Sequence, residues 1–91
     1  MENKIILESL AMDLKRTAIG YHRKSYAMAD RFLAEAIKRK NEFKKENTPP
    51  YLLQILENIE KLKTQSGDEL AENALMYSTL IQNYVLTSIL P

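Results

Sequence analysis

The chain has 91 residues, 45% apolar and 27% charged, with a formal net charge of +1, the balance of one small globular domain spanning 1–91. With no cysteine, two glycines and three prolines, disulfide-stapled scaffolds, cysteine-ligated zinc modules and loop-rich folds are excluded. So short a chain hides only about 60% or slightly more of the surface it exposes when unfolded, so association with a second copy is expected.

The first helix is predicted over 4–18, where Leu7, Leu10, Leu14 and Ala18 recur at spacings that keep them on one face, with Asn3 as its cap. Its opening apolar run, Ile5-Ile6-Leu7, is too short for a secretion signal, so a cytoplasmic location is expected. At Gly20 helix propensity falls. Either the helix breaks near residues 19–22 or it bends and runs on into the next, and the break is the preferred reading.

A second helix over 22–45 turns Tyr26, Ala29, Phe32, Leu33, Ala36 and Ile37 inward. Arg31, Glu35 and Arg39, and Lys38 with Glu42, form i,i+4 pairs outside. It is stopped by Asn47-Thr48-Pro49-Pro50, because proline lacks a backbone donor and drives its predecessor toward extended geometry, whereas Pro50 suits the first turn of a new helix. The third helix, over 50–64, carries Leu52, Ile55, Leu56, Ile59 and Leu62 on one stripe. A short link containing Gly67 leads to the fourth, over 68–90, with Ser66 or Asp68 as its cap. Four helices joined by short links predict an all-α, up-down four-helix bundle.

The fourth helix differs from the others, since no residue from Asn73 to Pro91, nineteen positions, is charged. Its many amides and hydroxyls argue against a membrane span, so no membrane association is expected. At 1.5 Å per residue helices one and three would be about 22 Å long and helices two and four about 35 Å, which would leave part of the fourth helix bare. The expectation is a homodimer, acting as an interaction or scaffold module, through Ala74, Tyr77, Ile81, Tyr84, Val85 and Ile89, with an unidentified protein partner as a further possibility. Met12, Met28 and Met76 read as core gap-fillers.

A second reading comes from charge. Residues 1–48 hold eleven Lys or Arg against seven Asp or Glu, net +4, and residues 49–91 hold two against five, net −3. Within 15–45 there are ten basic and three acidic residues. Lys24, Arg31, Lys38 and Lys45 are spaced by seven, with Arg23 and Arg39 beside them, a ridge able to follow a phosphate backbone in RNA or DNA.

The only histidine, His22, follows Arg16 with five residues between them. That pair resembles the Arg, four-to-six residues, His spacing of the HEPN family of helical bundles. The resemblance covers these two residues and implies RNA cleavage, with His22 as acid or base and Arg16 holding a phosphate. Thr17 stands where that family has Asn, Asp or His. One histidine, no cysteine and two isolated glycines supply neither a metal-ligand set nor a phosphate-cradling loop. No catalysis, cofactor or metal is expected.

Overall fold

The structure is a computed structural model that describes residues 3–88. It is all-α: α1 spans Asn3–His22, α2 Tyr26–Glu42, α3 Pro50–Lys61 followed by a 3-10 turn over Leu62–Thr64, and α4 Gly67–Ser88. The four predicted helices are present, but the first boundary is displaced: Gly20 lies inside α1, and the chain turns at residues 23–25 instead of 19–22.

The reason is steric. A Cβ at Gly20 would sit 3.0 Å from the backbone N and Cα of Ala29 and from its Cβ, so the missing side chain is what lets α2 fold back against α1. The helix then closes with a Schellman motif, in which the amide of Ser25 donates to the carbonyl of Gly20 (2.8 Å) and that of Lys24 to Tyr21 (3.1 Å). Lys24 occupies the left-handed position, φ 59°, where glycine is the usual residue. At the far end of the hairpin Asn3 does not cap α1. Its side-chain amide donates to the carbonyl of Lys44 (2.9 Å) and its side-chain carbonyl accepts from the Lys44 amide (3.1 Å). The start of α1 is thereby tied to the end of α2, and the two helices run antiparallel.

On its other side α1 meets α4. The Ser78 hydroxyl donates to the Ala11 carbonyl (2.7 Å), and Glu8 and Met12 lie beside Gln82, Val85 and Leu86, so this pair is antiparallel too. Both α1 and α4 are tightly packed here because Ala11, Ala71 and Ala74 are small and fully buried. α3 covers the remaining flank with Leu52, Ile55, Leu56 and Ile59. Its first turn touches α4 through the Tyr51 and Tyr84 rings, 6.1 Å apart, and its last reaches α2 through Lys40 and Glu60, 2.9 Å. Lys40 and Lys63 both donate to Glu60 and hold its carboxyl below the ordinary glutamate range.

Pro50 opens α3 as expected. α2 stops at Glu42, three residues short of the predicted end, and the extended Phe43 tucks its ring into the core. Two inward assignments fail on exposure: Tyr26 is 53% exposed, and Phe32 is half-buried between helices. Tyr26 instead stands edge-on to Tyr21, 5.5 Å between centroids, closing the α1–α2 turn.

These contacts generate a pair of opposite expectations. Gly20→Ala gains helix propensity of up to about 1 kcal/mol, but the collision is with the backbone of α2, and forcing extra atoms into such a contact costs about 1–3 kcal/mol. Net destabilisation of up to about 2 kcal/mol is expected once the propensity gain is set against that cost. Lys24→Gly relieves the left-handed strain and should raise stability by roughly 1 kcal/mol. Urea unfolding of both variants checks this, and a more stable Gly20→Ala protein would show that the helix contact is slack.

Candidate functional site

Two surfaces stand out, one apolar and one cationic, and they meet at Met12. The apolar one follows from how α4 divides its surplus of hydrophobic residues. Leu70, Ala74, Tyr77, Ile81 and Val85 point inward and are closed within the chain's own core. Of the predicted dimer contacts, Ala74, Tyr77 and Ile81 are therefore enclosed in the chain's own core, and Val85, 7% exposed, shows only an edge to the surface beside Leu86. Tyr84 is half-buried against Tyr51, and Ile89 lies outside the described residues. The length argument behind that expectation fails because α1 continues through Gly20: at 20 residues it is about 30 Å long, close to the 33 Å or so of the 22-residue α4.

What remains outside is a different stripe. Leu75, Thr79, Gln82 and Leu86 recur at helical spacing along the exposed edge of α4 that borders α1. On α1, Ile5, Met12 and Ile19 form a line at spacing seven, with Ile5 and Met12 exposed and Ile19 half-buried. Leu86 is 62% exposed and Met12 43%, so Met12 is not a core gap-filler, and neither is Met76. Between the two lines a groove of about 430 Å³ is bounded by Glu8, Met12, Gln82, Val85 and Leu86. Glu8 is the carboxylate at its rim, 4.0 Å from Lys4.

The cationic surface is the cleft between α1 and α2, about 520 Å³, lined by Ser9, Met12, Asp13, Arg16, Arg31, Phe32, Glu35 and Arg39. Antiparallel pairing of the helices sets Arg16 and Arg31 around the Phe32 ring, 5.4 and 6.0 Å from its centroid. Arg16 is 3.8 Å from Asp13, while Arg39 donates to Glu42 at 2.9 Å. The i,i+4 ladder read from sequence does not form: among the described residues Arg31 has no carboxylate within ion-pair distance. Burial pushes the Asp13 carboxyl above the ordinary aspartate range. Arg16 and Arg39 pull it the other way, and Glu35 raises it further.

The predicted basic ridge is dispersed. Arg23 and Lys24 belong to the α1–α2 turn and Lys45 lies past the end of α2, so Arg31 and Lys38 alone of the seven-spaced line share a helix. Arg39 turns into the cleft, away from that line. His22 is the last residue of α1 and exposed, and six residues place it about 120° around the helix from Arg16. Arg16 lines the cleft and His22 does not, so the HEPN-like pair shares no site. Thr17 is fully buried, its hydroxyl donating to the Asp13 carbonyl at 2.8 Å. Sequence reasoning missed the cleft because its members come from two helices whose facing register was not known. The signal available was that Asp13, Arg16, Phe32, Glu35 and Arg39 flank the inward stripes.

Among the described residues no group of three or more His, Cys, Asp or Glu side chains is placed to hold a metal ion, and no helix is long and apolar enough to cross a membrane. Compared with protein-family models, curated proteins and solved structures, the chain matches none of them.

Asp13 supplies a pH test. Since its folded pKa is raised, the stability it contributes is fully present below the unfolded value of about 3.9 and is lost as pH rises through the folded value. Asp13→Asn is expected to raise the melting temperature at pH 7 and leave it nearly unchanged at pH 3. Calorimetry at both values checks this, and a lower melting point for the variant at pH 7 contradicts it.

Proposed function

We propose that the protein is a small helical interaction module, with no catalysis of its own, that works as a homodimer joined through the outer face of α1 and α4. The observation that carries this reading is the stripe of Ile5, Met12, Leu75 and Leu86, all more than two-fifths exposed, on neighbouring helices, one of which has no ionised side chain from Asn73 onward. A second copy is the occupant that suits this face. Two such surfaces meet without like-charge repulsion from α4, and a twofold axis pairs each stripe with its own equivalent. Size agrees as well. Two helices about 30 Å long and about 10 Å apart present a face on the order of 600 Å² in projection, comparable to the roughly 800 Å² of accessible surface that each partner of a standard interface contributes. The antiparallel packing of α1 with both α2 and α4 supports an up-down arrangement for those three helices, with α3 laid against them, and the cytoplasm is the compartment that goes with this reading.

The nucleic-acid ridge has no comparable support, because its members are divided among a turn, a helix face, a cleft and a loop.

Light scattering coupled to size exclusion tests the proposal. The native chain should elute at twice its sequence mass at tens of micromolar. Leu86→Glu and Met12→Glu should elute as monomers with melting temperatures within a few degrees of native, since surface changes cost little folding stability. Ile81→Asp, in the core, should unfold the chain instead. A native monomer at that concentration, or unchanged mass in both surface variants, rejects the interface.

A further inference from the structure

We propose that the α1–α2 cleft is a binding site for a phosphate-bearing ligand, held by Arg16, Arg31 and Arg39. The cleft selects one kind of cation. The chain has four arginines and nine lysines, yet three arginines and no lysine line this cleft. A solvated basic face has no reason to prefer arginine, whereas an oxyanion site does: the planar guanidinium offers paired donors that match two phosphate oxygens, and it tolerates an aromatic neighbour.

Several of those donors also lack a close acceptor. Folded arginines facing carboxylates usually form short bidentate pairs. Here the one short bond is from Arg39 to Glu42, at 2.9 Å. Arg16 stands 3.8 Å from Asp13 with no hydrogen bond, and Arg31 has no ionic partner among the described residues. The Nε–H of Arg39 is buried with no protein acceptor, and a buried donor left unmade carries a cost that an incoming oxygen would remove.

Two carboxyl groups oppose anion binding. Asp13 and Glu35 also line the cleft, so three guanidinium groups face two carboxyl groups. Arg16 and Arg31 both stand against the Phe32 ring, and here a phosphate meets two guanidinium groups at once, Arg31 without an ion pair among the described residues and Arg16 with only the 3.8 Å pairing to Asp13. Asp13 lies next to it, and so tunes affinity against the ligand.

Heteronuclear NMR titration of the native chain with inorganic phosphate, AMP and a ten-residue oligoadenylate tests the site, with sodium sulfate as control. Saturable shifts are expected at the amides of Arg16, Arg31 and Phe32, with a Kd near or below about 1 mM for AMP. Arg16→Ala combined with Arg31→Ala should weaken binding at least about tenfold, and Asp13→Asn should tighten it several-fold. Arg23→Ala with Lys38→Ala, outside the cleft, should leave it unchanged. Tighter binding of AMP than of the oligonucleotide identifies a free phosphomonoester as the natural class, and the reverse order identifies a unit of a single strand. Circular dichroism confirms that each variant is folded. Retention of the shifts in the Leu86→Glu variant separates this site from the dimer face. Shifts that do not saturate, that sulfate reproduces at equal concentration, or that survive loss of both arginines overturn the proposal.

Discussion

The close packing of α1 against two neighbours at once is the constraint on which the rest of the molecule depends. Where α2 crosses it, Gly20 has no Cβ and Ala29 has one carbon. Where α4 lies along it, Ala11, Ala71 and Ala74 are small and buried, and Ser78 reaches the Ala11 carbonyl. On the inner side of both contacts Leu7, Leu10, Leu14 and Ala18 of α1 are closed off from water.

Burying α1 from two sides decides what each flanking helix has left. α2 keeps a half-buried Phe32 and turns Arg39 into the seam, where α1 contributes Asp13 and Arg16, and a charged cleft forms between them. α4 has apolar residues around most of its circumference and can hide only the arc that faces the core. Part of its remaining arc, at Gln82 and Leu86, lies beside Glu8 and Met12 of α1, which makes that part of the uncovered patch a property of two helices together. The two surfaces therefore share a cause, and Met12 borders both.

Much of this fold was legible in the sequence, and the residues that misled show why the rest was not. The Pro49-Pro50 stop and the α3 stripe follow from backbone chemistry and periodicity, which are local. Gly20 was ambiguous because propensity reports the cost of glycine in a helix and says nothing of a neighbour that needs the space. That displacement lengthened α1 and removed the reason for thinking α4 bare along its length. The interface residues were misplaced for a related cause: periodicity marks Ile81 and Leu86 as apolar alike, and only the position of α1 tells which of them is enclosed. The arginine cleft needed the register between α1 and α2, which in turn is set by Gly20 on Ala29 and by Asn3 on Lys44.

The central claim is that the uncovered arc of α4, joined to the outer line of α1, holds a second copy of the chain. Isotope-filtered NOE spectroscopy on an equal mixture of labelled and unlabelled protein tests it most directly, because only contacts between chains survive the filter. The account predicts intermolecular contacts from the methyl groups of Leu75 and Leu86 to those of Ile5 and Met12. Filtered spectra without cross-peaks at millimolar concentration, or with cross-peaks confined to Arg16, Phe32 and their neighbours in the cleft, would contradict it.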